Sequence, residues 1–346
     1  MKKFHIFSIG TGLLLLIFLM WKIGISALWH ELTLLGWGLV PLILIEGIAD
    51  IFHALGWRYC LSGPHRSLPF VRIFRIRMAG FAINHLTPTA SLGGEVTKGA
   101  LLSLDHKSPE AVTGVLIGKL SFALSQLLFV AFGSLLVLSR IRLPAALWIG
   151  MLLSSALLLI GIIGFLLVQK YGKLGALIRW LVSHRIGGNP LRRVSHEINE
   201  VDNALRLFYQ THPASLPVAV FWHIVGFGVG IIKTWYFLTL LGAEASMPVA
   251  AGIWFLGTWF DLLIFAIPFN LGVQEGSRVI AFKALGFDLV TGMTYGVTLR
   301  LEQIFWALFG LINYIFLLSE KRQGSSLAVT GQSSALAFWG YKRGRE

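Results

Sequence analysis

Six apolar runs of membrane length alternate with short polar turns, at about Ile6–Ile25, Trp37–Leu61, Val112–Leu138, Leu143–Val168, Leu216–Leu241 and Val290–Leu318. A bilayer core takes about 20 helical residues to cross, so each run predicts a full transmembrane helix. Two more apolar stretches are interrupted: Met78–Leu104 by Asn84–Gly94, and Val249–Leu285 by Pro268–Gly276. Pro and Gly free backbone groups that lipid cannot satisfy, so such breaks must line protein or water, and each stretch predicts a re-entrant helical hairpin. Between Ser195 and Tyr209, Ile198, Val201, Leu205 and Phe208 recur at helical spacing, which predicts an amphipathic helix on the membrane surface. The expected fold is an all-α polytopic integral membrane protein of about six full transmembrane helices plus two re-entrant hairpins. It forms one transmembrane domain over 1–318, with a first half to about 168, a basic linker over 169–213 and a second half over 214–318. The tail, 319–346, has Gly, Ser and scattered charge and is expected to be disordered.

Composition agrees. Apolar residues make up 55% of the chain and charged residues 13%, with a mean hydropathy of +0.74, where a soluble domain is about 25% charged. The net charge of +13 sits in loops between apolar runs. That distribution fits the positive-inside rule and attraction to anionic headgroups rather than a nucleic-acid surface. Lys2 and Lys3, the stretch from Arg66 to Arg77, the central linker, and Lys321 with Arg322 then face the cytoplasm, as do both termini; the turns near Glu31 and Glu244 face outward. Arg140 and Arg142 run against this rule. Trp21-Lys22-Ile23 follows the first apolar run without a small-x-small cleavage site, so that run reads as an uncleaved helix. Cys60 is the only cysteine, which excludes an intrachain disulfide and a cysteine metal cluster. With these sides assigned, the first hairpin enters from the cytoplasm and the second from outside, an inverted repeat of the kind alternating-access carriers use.

The two breaks carry the candidate chemistry. Pro88-Thr89-Ala90-Ser91-Leu92-Gly93-Gly94-Glu95-Val96-Thr97-Lys98 and Pro268-Phe269-Asn270-Leu271-Gly272-Val273-Gln274-Glu275-Gly276-Ser277-Arg278 lie 180 residues apart. Each has Pro, then Leu-Gly, then Glu seven residues after the Pro, then a base three further on. A second base follows inside the next apolar run, Lys119 in one half and Arg300 in the other. Ionisable groups at that depth are costly and mark functional sites by default. Glu at a helix start can cap its own helix and pair with the base at i+3; equally, the repeated set can line a polar cavity for a charged headgroup. Lys119 and Arg300 would pair with Glu95, Glu275 or Glu302, or meet a phosphate. Lys233 and Asp261 are further candidates. Glu46, Asp50 and Arg58 share one helical face, on a helix that also holds His53. Asn84 and His85 precede the first break. The chain has no Walker A lysine, no HExxH, no G-x-S-x-G and no Asp-x-Asp pair. No metal, cofactor or ATP site is therefore expected.

These same residues resemble a known family, the lysylphosphatidylglycerol synthase transmembrane region, also called flippase-like or UPF0104. The resemblance lies in Pro88 with Gly93-Gly94-Glu95-Val96-Thr97-Lys98-Gly99-Ala100-Leu101-Leu102. It is better in Ile267-Pro268, Leu271-Gly272-Val273-Gln274-Glu275-Gly276, Leu285-Gly286 and Leu299-Arg300-Leu301-Glu302. It covers most of Arg58 to Leu318. Pro268-Phe269-Asn270 stands where Pro-Gly-Gly is usual, and Lys98 where Arg is usual. The resemblance implies an inner-membrane protein of bacterial or archaeal type. Some members are fused to a soluble aminoacyl-lipid synthase and move the product between leaflets; others accompany hopanoid or glycolipid genes. About 28 residues follow the last apolar run, so the lipid-moving half is the expected activity. The substrate would be a membrane lipid with an anionic or zwitterionic headgroup, in a groove lined by Glu95, Lys98, Lys119, Glu275, Arg278, Arg300, Glu302, Asp261 and Asn84. Glu95 and Glu275 would couple transport to protons. A membrane-embedded lipid-linked transferase, and an accessory subunit partnered with a lipid-biosynthetic enzyme, are the alternatives.

Overall fold

The computed structural model of the chain describes residues 25–87, 92–106, 108–138, 145–171, 173–184, 188–244, 246–264 and 272–342. Twelve α-helices occur among them: α1 Ile25–Leu35, α2 Leu39–Tyr59, α3 Phe70–Leu86, α4 Leu92–Asp105, α5 Pro109–Leu138, α6 Ala145–Lys170, α7 Leu174–Ser183, α8 Gly188–Thr211, α9 Ser215–Leu240, α10 Met247–Ile264, α11 Val273–Ala284 and α12 Leu289–Lys342. No strand occurs among the described residues. Five helical segments there are long and apolar enough to cross a membrane: Trp29–Tyr59, Pro109–Gly133, Trp148–Val168, Ser215–Leu240 and Leu289–Glu320. They match five of the six expected spans. The first expected span, 6–24, the Arg140–Arg142 turn and the residues 88–91 and 265–271 of the two breaks lie outside the described residues. Leu153, Leu157 and Ile160 of α6 are each more than two-thirds exposed, an apolar flank suited to lipid.

The backbone of α12 runs as helix to Lys342; no Pro falls in 289–342 to stop it. One expectation changes. The amphipathic helix, α8, docks on the bundle through its apolar face. Leu205 and Phe208 are buried in a cluster with Trp57, Leu61, Leu102 and Ala111, with Val201 packed against it. Protein rather than a bilayer surface covers that face, and Asp202 accepts the Gly175 amide at 2.8 Å to tie α7 to α8.

The interrupted stretches fold as helix pairs, α3 with α4 and α10 with α11. Gly272 has φ +71°, a conformation side chains rarely adopt, so the glycine of the second Leu-Gly turns the chain into α11. Gly94 plays a different part: a Cβ there would run into the Gly80 carbonyl and the Asn84 side chain, so glycine lets α3 and α4 close together.

The two halves run in opposite directions. Gly38 meets Leu240, Glu46 meets Lys233 and His53 meets Gly226, so α2 and α9 are antiparallel. A shift of 180, the spacing of the two motifs, relates contacts in one half to contacts in the other. It converts the Arg75–Asn313 hydrogen bond between α3 and α12 into the packing of Phe255 on Gly133 between α10 and α5. Helix α2 therefore has α9 as its counterpart and packs against it antiparallel, the arrangement of an inverted repeat.

Candidate functional site

The motif residues form two polar centres. In the first half, Glu95 opens α4 and pairs with Lys98 at 2.5 Å and with Lys119 of α5 at 3.7 Å. The Lys98 ammonium also lies over the Trp57 ring, 5.1 Å from its centroid, a cation–π contact. Asn84 accepts the Gly94 amide at 2.6 Å, which places it as a cap on the first turn of α4. Beside this centre, Arg77 of α3 bonds the buried Asp50 of α2.

In the second half the pairing differs. Glu275 bonds Arg300 at 2.8 Å, the counterpart of Glu95 with Lys119. Arg278 turns away from Glu275 and takes Asp261 at 2.7 Å and the Gly257 carbonyl at 2.8 Å. The expected i+3 pair within the motif thus forms at Glu95–Lys98, while Arg278 pairs across to α10. The reason is one residue: the position of Asp261 corresponds to Phe81 in the first half, which offers Lys98 no carboxylate. Lys233 of α9 sits between Glu46 at 2.6 Å and Glu302 at 2.8 Å, and 5.3 Å from the Trp254 ring centroid.

A cavity of about 140 Å³ opens among these groups. Its charged lining is Glu46, Lys233, Asp261, Arg278 and Glu302. Gln274 and Gln303 add amides, and Phe81, Trp254 and Trp306 add aromatic faces. Arg278, Lys233 and Glu302 are almost wholly buried, with 2%, 2% and 3% exposure. Charges this deep persist only when paired and hydrogen-bonded. Arg278 leaves its Nε, and Glu302 one carboxylate oxygen, without a hydrogen-bond partner.

Of the nine residues singled out in the sequence, Asp261, Arg278 and Glu302 line this cavity. Glu275 and Arg300 flank it, with Arg300 also bonding Gln303 at 3.3 Å. Glu95, Lys98 and Lys119 form the other centre, and Asn84 caps a helix. His53 shares a hydrogen bond with His223 at 3.1 Å amid Phe122 and Phe227, a packed position away from the cavity lining. His85 bonds the Phe81 carbonyl one turn back. The aromatic lining and the two glutamines escaped the sequence reading. Trp254 and Trp306 look like any of the twelve tryptophans, and only Trp packed on Gly230 and Gly47 reveals their places. Among the described residues no three of His, Cys, Asp and Glu form a group that could hold a metal ion.

The apolar spans, the inverted halves and the interior charges define a multi-pass α-helical membrane protein with a polar centre. The chain belongs to the lysylphosphatidylglycerol synthase TM region family, which it matches over residues 5–311. It is 21% identical over 287 residues to the UPF0104 membrane protein MJ1595 of Methanocaldococcus jannaschii, covering 81% of this chain and 84% of that one. It is 23% identical over 321 residues to the UPF0104 membrane protein PH1989 of Pyrococcus horikoshii, covering 88% and 94%. No solved structure matches the chain.

Proposed function

We propose that the chain moves a membrane lipid, or a lipid-linked amphiphile, between the leaflets of a bacterial inner membrane, with both termini cytoplasmic. The observation that carries this reading is the charged cavity between inverted halves. Helix breaks supply Arg278 and Glu275 to the membrane interior, and neighbouring spans supply Lys233, Glu302 and Arg300. About 140 Å³ suits part of a headgroup and not acyl chains, since sites for whole drug-sized ligands run to about 300–1,000 Å³. The headgroup would exchange water for these polar groups while its acyl chains stay in lipid against apolar flanks such as α6. A phosphate would meet Arg278 at its one unpartnered donor, Nε, through a charge-assisted hydrogen bond.

Reconstitution into vesicles with fluorescent phospholipid in one leaflet tests the reading. The expected result is transfer to the other leaflet above the rate of protein-free vesicles. Conversion of a lipid-linked donor without transfer would instead place the chain among membrane-embedded transferases.

A further inference from the structure

The cavity holds three carboxylates, Glu46, Asp261 and Glu302, against two cations, Lys233 and Arg278. Arg278 is committed to Asp261. Beside the site, Asp50 of α2 pairs with Arg77 of α3, which also faces Glu46, and Glu275 of α11 pairs with Arg300 of α12. His85 of α3 donates from Nδ1 to the Phe81 carbonyl at 3.0 Å, and the Tyr295 hydroxyl is held by Thr234 of α9 at 2.8 Å. One ammonium, Lys233, is left for two carboxylates.

The geometry of those two carboxylates adds a second observation. Both are bound to the same Lys233 ammonium, Glu46 at 2.6 Å and Glu302 at 2.8 Å, and the oxygen Oε2 of Glu302 is buried with no donor. Two ionised carboxylates on one ammonium leave the group with a net negative charge in the interior. One proton leaves the Glu–Lys–Glu group neutral. The Glu46 side chain is 27% exposed and that of Glu302 3%. Glu46 is therefore the more open of the two to the cavity, and Glu302 the more enclosed.

We propose that Glu46 and Glu302 share one exchangeable proton beside Lys233, and that this proton, rather than one on Glu95 or Glu275, couples transport to a proton gradient. On release the carboxyl O–H bond breaks, the proton passes to water in the cavity, and the electron pair stays on the carboxylate. The site then holds two carboxylates on one ammonium and attracts the next proton. Glu95 and Glu275 are poor carriers by comparison, because each has a cation that no second carboxylate shares, whereas Glu46 and Glu302 share Lys233. The coupling half of the proposal rests on the lipid-moving reading; the shared proton does not.

Infrared difference spectroscopy of the wild-type protein in lipid nanodiscs, titrated with pH, reads the proton directly. The expected result is a carboxylic-acid carbonyl band at neutral pH, lost in Glu302→Gln and in Glu46→Gln and kept in Glu95→Gln. Absence of the band in wild type overturns the shared proton however any variant folds, and so does its survival in both cavity variants. In vesicles, an imposed proton gradient should skew the leaflet distribution of fluorescent phospholipid in wild type and not in Glu302→Gln. A skew that follows a sodium gradient alone, or that persists in Glu302→Gln, overturns the coupling. Wild type that moves no lipid under any gradient overturns the lipid-moving reading and, with it, the coupling; the infrared result stands apart.

Discussion

The Lys233 ammonium lies 2.8 Å from the Glu302 carboxylate, and the two side chains are only 2% and 3% exposed. This pair joins α9 to α12, and Glu46 extends it to α2. Removing one partner of a buried pair strands the other charge, at a cost of about 3–5 kcal/mol. Lys233→Met is expected to lower the unfolding free energy in detergent by an amount of that order. Lys233→Met with Glu302→Gln should lose less than the two single changes added together, because only Glu46 is then left without Lys233.

Glycine at 94 sets the closeness of α3 and α4. Gly94→Ala drives a Cβ into the Gly80 carbonyl, and overpacking of that kind costs about 1–3 kcal/mol. Gly99→Ala, in the same helix, meets nothing nearer than 3.9 Å and is expected to be neutral or stabilising by up to about 1 kcal/mol, since Ala is the better helix former. Thermal unfolding of the two variants side by side checks the contrast.

How much of this was legible in the residues can be argued from the same motif. Its spacing located both hairpins, and the pairs Glu95–Lys119 and Glu275–Arg300 are among those anticipated for Lys119 and Arg300. The apolar runs also gave five spans, most ends falling within about five residues and the start at Trp37 standing eight residues inside the observed Trp29. What it could not give is partner choice across helices. Arg278 prefers Asp261 because the α10–α11 pair brings it there, a fact of packing that no local spacing encodes. The two centres look alike in sequence for the same reason: residues 180 apart appear equivalent, yet Phe81 stands where the second half has Asp261. The docked face of α8 was misassigned because an apolar stripe says what is buried and not what buries it.

The fork on Arg278 gives a prediction of function. Arg278→Lys keeps the charge but cannot hold Asp261 and the Gly257 carbonyl together. A charge-assisted hydrogen bond contributes about 1.5–3 kcal/mol. Lipid transfer in vesicles is expected to fall by about tenfold or more, since 1.4 kcal/mol corresponds to a factor of ten.

One pH dependence belongs to the loop between α2 and α3. His65 is wholly buried, and its Nε2 lies 3.2 Å from the Ser108 hydroxyl. Burial first, and the His106 ring second, hold His65 below its ordinary value of 6.5, against the opposing pull of Glu110 and Asp105. The unfolded chain then takes up this proton more readily than the folded one, so the contribution to stability falls as pH drops below about 6.5. His65→Gln should flatten the dependence of the unfolding midpoint on pH in that window; an unchanged slope would remove His65 as its source.

The lipid-moving function requires that a headgroup enter the cavity between α2, α3, α9, α10, α11 and α12. Gln274 lines it and is 7% exposed, so Gln274→Trp fills the space with an aromatic ring. The direct measurement is phospholipid transfer between leaflets of reconstituted vesicles, with wild type and Gln274→Trp matched for monodispersity and unfolding midpoint. Transfer in wild type that falls to the protein-free rate in Gln274→Trp is the predicted result; transfer at an undiminished rate in that variant would contradict it.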